Sequence, residues 1–154
     1  MGSGEPVDAD AIIAAAGAME SRLGALVHEV RYRNTQDGTY ETAPLTPREA
    51  RLTVAPGIEQ DGGYFDIQWW TNGDYKYHYG ERGLEFRFGR EADNTGTDRP
   101  VHHFHPPGGL DEHRPSCIAS GHPPELVTIA VGSTWLAAVR ESDPSRLNDG
   151  DNLP

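Results

Sequence analysis

Cysteine is almost missing from this chain of 154 residues: Cys117 stands alone, so no internal disulfide can form, and a reducing cytoplasm is the expected setting. Long apolar runs are missing as well. No stretch approaches the roughly 18 residues of a membrane span, and the opening MGSGEPVDAD has neither the charged nor the apolar region of a secretion signal. Lysine is nearly absent: Lys76 is the one lysine among 13 Lys and Arg residues, against 24 acids, for a net charge of -11. An acidic, lysine-poor surface is the pattern of a halophilic protein, for which a Debye length of about 3 Å near 1 M salt screens carboxylate repulsion. The same screening weakens the usual argument that an acidic chain repels nucleic acid. The charge is also uneven, because residues 74–114 hold eight acids and six bases and are close to neutral.

The patterning predicts an α+β fold, an antiparallel β-meander of about five to six strands packed with an N-terminal and a C-terminal helix. Asp8 or Asp10 caps a first helix whose Ile12, Ile13, Ala16, Met19, Leu23 and Leu26 recur at helical spacing. Strands are expected at 27–32, 50–55, 64–70, 74–80, 84–89 and 101–105. Asn72-Gly73 marks a tight hairpin between the third and fourth of these. A proline start at 123–124 opens the second helix, which fades near Arg140. One domain over 8–141 is expected, with acidic, disordered termini at 1–7 and 142–154.

Four of the seven histidines lie between Tyr77 and Pro107, three of them in His102-His103-Phe104-His105. Strand alternation sorts them, since neighbouring side chains point to opposite faces. Phe104 belongs with the core and takes His102 with it, leaving His103 and His105 on the other face. Leu84, Phe86 and Phe88 form a buried set, as do Tyr75, Tyr77 and Tyr79. One open face then gathers Lys76, His78, Glu85, Arg87, His103 and His105. Trp69 is in phase with the core. Trp70 points the other way and is a candidate platform for a nucleobase. His28, His113 and His122 are read as structural, His122 as a helix cap.

Three readings of the cluster stay open. His78, His103 and His105, with Glu85 as a fourth ligand, are a candidate zinc set, which would make the chain a non-enzymatic metal- or partner-binding module. Alternatively, His103 and His105 act as acid and base in metal-independent RNA phosphodiester cleavage. Imidazole titrates near neutrality and serves in either role. Arg87 would hold the phosphate with His78 beside it, and Lys76, Tyr77 and Trp70 would bind substrate. The third reading is a polar strand edge with no chemistry.

Over residues 67–139 the chain resembles a group of short haloarchaeal proteins of unknown function. They share the Asn-Gly-Asp hairpin, the YKYHY strand, an Arg-bearing strand and the His-aromatic-His-Pro-Pro segment. More distantly, the order of YKYHY, EFRF, Asp93-Asn94 and HHFHPP is similar to the TumE family, the toxins of toxin–antitoxin pairs, regarded as ribonucleases. That resemblance implies RNA as substrate, an antitoxin protein as partner, and Tyr77, Arg87, Asp93, His103 and His105 as the positions that carry over.

Overall fold

A computed structural model describes residues 5–118 and 121–154. The first helix, α1 (Ala9–Leu23), starts where the Asp8 carboxylate accepts the Ala11 N–H at 3.0 Å, and it stops at Gly24, whose φ of 57° suits a residue without a Cβ. Ile12, Ala16, Met19 and Leu23 are buried along one stripe. The second helix, α2 (Pro124–Glu141), packs against α1, and a Cβ at Gly132 would lie 3.3 Å from Met19 Sδ and 3.7 Å from Leu23 Cδ2. His122 does not cap it: Pro123 holds the N-cap position and supplies no side-chain bond.

Against the helix pair lies one antiparallel sheet of eight strands, more than the five or six expected. In chain order they are β1 (Val27–Arg33), β2 (Tyr40–Glu41), β3 (Glu49–Val54), β4 (Gly63–Trp69), β5 (Tyr75–Glu81), β6 (Leu84–Arg90), β7 (His102–His105) and β8 (Arg114–Pro115). Strands follow one another across the sheet except that β2 folds back outside β1, placing β3 on its other side. The two unforeseen strands, β2 and β8, are two residues long and carry no alternation to read.

Helices cover only one face. Leu52, Phe65, Ile67, Tyr77, Tyr79, Phe86 and Phe88 are fully buried there, and Trp135 of α2 sits edge-on to Phe65 at 5.6 Å between ring centres. Burying side chains of this size stabilises the fold by about 1.5–3 kcal/mol each. Segments near both ends of the chain make contacts with the domain. Val7 bridges to Trp70, and the Thr71 N–H donates to the Pro6 carbonyl, so residues 5–7 are docked, while 1–4 lie outside the described residues. After α2 the chain buries Leu147, and Asn148 accepts the Cys117 N–H at 2.6 Å while donating to the Pro115 carbonyl at 3.1 Å.

Candidate functional site

The face away from the helices is organised by ladder register. Asp66 pairs with His78, His78 with Arg87, and Arg87 with His105, which makes one row of polar side chains across four strands. The next row runs Gln68, Lys76, Gly89 and His103. All six residues expected to share a face therefore do so, with Glu85 opposite Gly80 at its margin.

That face is not open at its β7 end. Beyond Pro106-Pro107 the chain turns at Gly108 (φ 77°) and returns as β8 beside β7. The returning loop lies over the histidines and leaves His103 and His105 only 2% and 4% exposed. It also delivers His113, whose ring centre is 4.4 Å from His105 and 5.4 Å from His103, the latter two being 4.9 Å apart. Three imidazoles thus enclose a cavity of about 210 Å³ with Lys76, Arg87 and Glu91. Gly89 forms its floor. A Cβ there would lie 2.7 Å from His103 Nε2, so the ring rests directly on the backbone.

Backbone carbonyls set the tautomers. His105 Nδ1–H donates to the Leu110 carbonyl at 2.7 Å, and His103 Nδ1–H to those of Val101 and Pro100 at 3.2 and 3.3 Å. Nε2 of each ring is left as the basic nitrogen. Burial, aided by His103, Arg87 and His113, pulls His105 down to about 4. Burial lowers His103 as well, against the opposing pull of Glu91, whose carboxylate is 4.0 Å from Nε2. Both rings are therefore neutral near pH 7, and His103 has the stronger support for its charged form.

Among the described residues neither Lys76 nor Arg87 forms an ion pair, and Arg87 Nε is buried without a hydrogen-bond partner. Burial, followed by the charge of Arg87, lowers the Lys76 ammonium. Buried charges are normally paired, because the desolvation cost is otherwise unrecovered. The cleft thus gathers two cations, three imidazoles and one carboxylate, a set whose chemistry can receive an anion.

Other sequence candidates fall elsewhere. Tyr77 is fully buried on the helix side, its hydroxyl accepting from Trp69 Nε1 at 2.9 Å and meeting Thr128 Oγ1 at 2.5 Å, so it cannot reach the cleft. Trp70 is buried against residues 6–9 at the far end of the sheet. His78 stands beside the cleft and holds Glu85 Oε1 through Nε2 at 3.0 Å; burial and then Arg87 lower it, and Glu85 opposes them. With Arg87 between them, His78 does not converge with His103 and His105 as zinc ligands. No group of three or more His, Cys, Asp or Glu among the described residues is arranged to hold a metal ion. Cys117 is kept a thiol, since burial pushes it up to about 11. The cleft also takes in Glu91 and Gly89, which the sequence did not single out, and His113, which its pattern had marked as structural. His113 has a signal in retrospect, because Pro-Pro-Gly-Gly forces a reversal that carries the next residues back along β7.

A family model described as Toxin TumE matches residues 25–131, a span that includes every residue lining the cleft. No significant match exists among curated proteins or solved structures.

Proposed function

This chain belongs to the TumE toxin family, and from that premise we propose that it is an endoribonuclease whose active site is the histidine cleft. Lys76 and Arg87 hold the scissile phosphate. His105 Nε2 takes the 2′-hydroxyl proton, the 2′-oxygen attacks phosphorus, and the bond to the 5′-oxygen breaks. His103, protonated at Nε2 beside Glu91, gives its proton to that leaving oxygen, so the products are a 2′,3′-cyclic phosphate and a 5′-hydroxyl. The division of roles follows the two environments: the more depressed imidazole is the base, and the one facing a carboxylate is the acid. Bound phosphate adds negative charge to the cleft, which raises both rings toward the working pH. His113 closes the cleft and shields the charge that develops on phosphorus.

A single observation carries this reading: two half-buried cations that form no ion pair among the described residues share one cleft with three imidazoles. Cations left unpaired in the free protein are ready to stabilise phosphorane charge with little reorganisation. No metal is needed for such a step. The cytoplasm is then the place of action and an antitoxin protein the partner. The test is RNA cleavage by purified protein carrying His103→Ala together with His105→Ala. Cleavage is abolished while the circular dichroism spectrum is kept; a folded double variant that still cleaves RNA refutes the proposal.

A further inference from the structure

Next to the cleft, across Leu110, lies a second and larger hollow of about 390 Å³ that the reaction above does not use. This is within the range of small-ligand pockets, of order 300–1,000 Å³. Tyr64 forms one wall, and Gly80, Gly83 and Gly108 present bare backbone. Glycine at 80 is required by the contact itself, since a Cβ there would lie 2.7–2.8 Å from Tyr64 Oη and Cζ. The tyrosine is held in turn by Arg51, whose guanidinium lies 4.4 Å from the ring centre and is clamped to both oxygens of Asp66 at 2.7 Å. Two carboxylates line this hollow, and that of Glu81 already accepts from the Ile58, Glu59 and Gln60 N–H groups and the Tyr79 hydroxyl. The Glu85 carboxylate is half-exposed and lies 3.0 Å from His78 Nε2.

We propose that this hollow is the base subsite for the nucleotide flanking the scissile phosphate, and that Glu85 selects guanine there; the inference rests on the ribonuclease reading. A carboxylate only accepts hydrogen bonds. Guanine offers adjacent N1–H and N2–H donors to it, adenine and cytosine offer one amino group, and uracil sets a carbonyl on each side of its single donor. Leu110 lines both hollows, so the subsite adjoins the cleft that holds Arg87 and Lys76. His78 is then a positioning residue that fixes the carboxylate, which explains why it stands in the catalytic row yet outside the cleft.

The experiment uses oligodeoxynucleotides carrying one ribonucleotide, with the base varied at that position and at its 3′ neighbour. Wild-type protein should cleave beside guanine about tenfold or more faster than beside uracil at one of the two positions, the discrimination expected of a bidentate contact. Glu85→Gln should bring that ratio to within roughly twofold, because its amide donor now tolerates a carbonyl. Equal rates for all four bases, or a ratio unmoved by Glu85→Gln, overturn the subsite and leave the ribonuclease reading intact. If wild-type protein cleaves nothing, the ribonuclease reading falls, and guanosine and uridine 3′-monophosphates become the probes. Guanosine-selective binding by NMR that Glu85→Gln abolishes keeps the subsite, and its absence removes it.

Discussion

Replacing Arg87 with methionine should make the free protein more stable and less active. Arg87 Nε is buried and unbonded, and the side chain lies in register between His78 and His105 with Lys76 in the neighbouring row. An unsatisfied buried donor costs about 1–3 kcal/mol, more when charged. Methionine keeps most of the aliphatic stem and tolerates an irregular site, so lost packing offsets less than about 1 kcal/mol of this gain. The net expectation is stabilisation by about 1–2 kcal/mol, or roughly 2–8 °C in Tm for a domain of this size. Relief of charge should also move His105 and His78 upward in an NMR titration, since Arg87 depresses both. Inorganic phosphate gives the complementary measurement. At about ten times its Kd it should stabilise the wild type by roughly 1.4 kcal/mol and the variant by almost nothing. RNA cleavage should fall by about 10²–10³. An Arg87→Met protein that melts lower than wild type, or that keeps its response to phosphate, would refute the claim that this cation is held unpaired for an anion.

Other expectations follow from the same geometry. Gly89→Ala puts a Cβ 2.7 Å from His103 Nε2 and must displace the ring, so cleavage should drop about tenfold or more with the fold retained; an unaltered rate would mean that His103 is not at the reaction. Tyr77→Phe removes the partner of Trp69 and Thr128, costing about 1–2 kcal/mol in urea denaturation, yet leaves cleavage unchanged; a large loss of activity would return Tyr77 to the active site. His105 sits at about 4 in the fold against an ordinary 6.5, so it adds no pH dependence above 6.5. As pH falls from 6.5 to 4 the unfolded chain takes up a proton that the native ring resists, and stability declines by of order 2–3 kcal/mol. A urea midpoint unchanged between pH 6.5 and 4, or a decline equally steep in His105→Asn, would contradict this.

Much of the face was legible because alternation is a local property. Phe104 on the core side obliges His103 and His105 to the other, and the Leu84, Phe86 and Phe88 run places Arg87 beside them without knowledge of the rest of the sheet. The same rule already argued against Tyr77, which shares a face with Tyr75 and Tyr79 and is buried with them. Its place among substrate-binding candidates came from its position in the motif, and alternation was the better guide. Trp70 was assigned to a strand face, but β4 ends at Trp69, so the next side chain obeys the packing of residues 6–9 instead.

What the sequence alone determined is the alternation and the punctuation: which side chains share a face, where Asn72-Gly73 reverses the chain, and where Pro124 starts a helix. These depend on period-two geometry and on backbone restrictions of single residues. Tertiary structure decided whether that face is open. Three pieces close it: the Pro-Pro-Gly-Gly return, β8 pairing with β7, and Asn148 clamping 115–117 from 31 or more residues away. Loop closure between distant segments depends on what each buries against the other, and neither segment carries that information by itself. The cover turns an exposed row of histidines into a buried cleft, lowers their basicity, adds His113, and leaves Arg87 and Lys76 without an ion pair among the described residues.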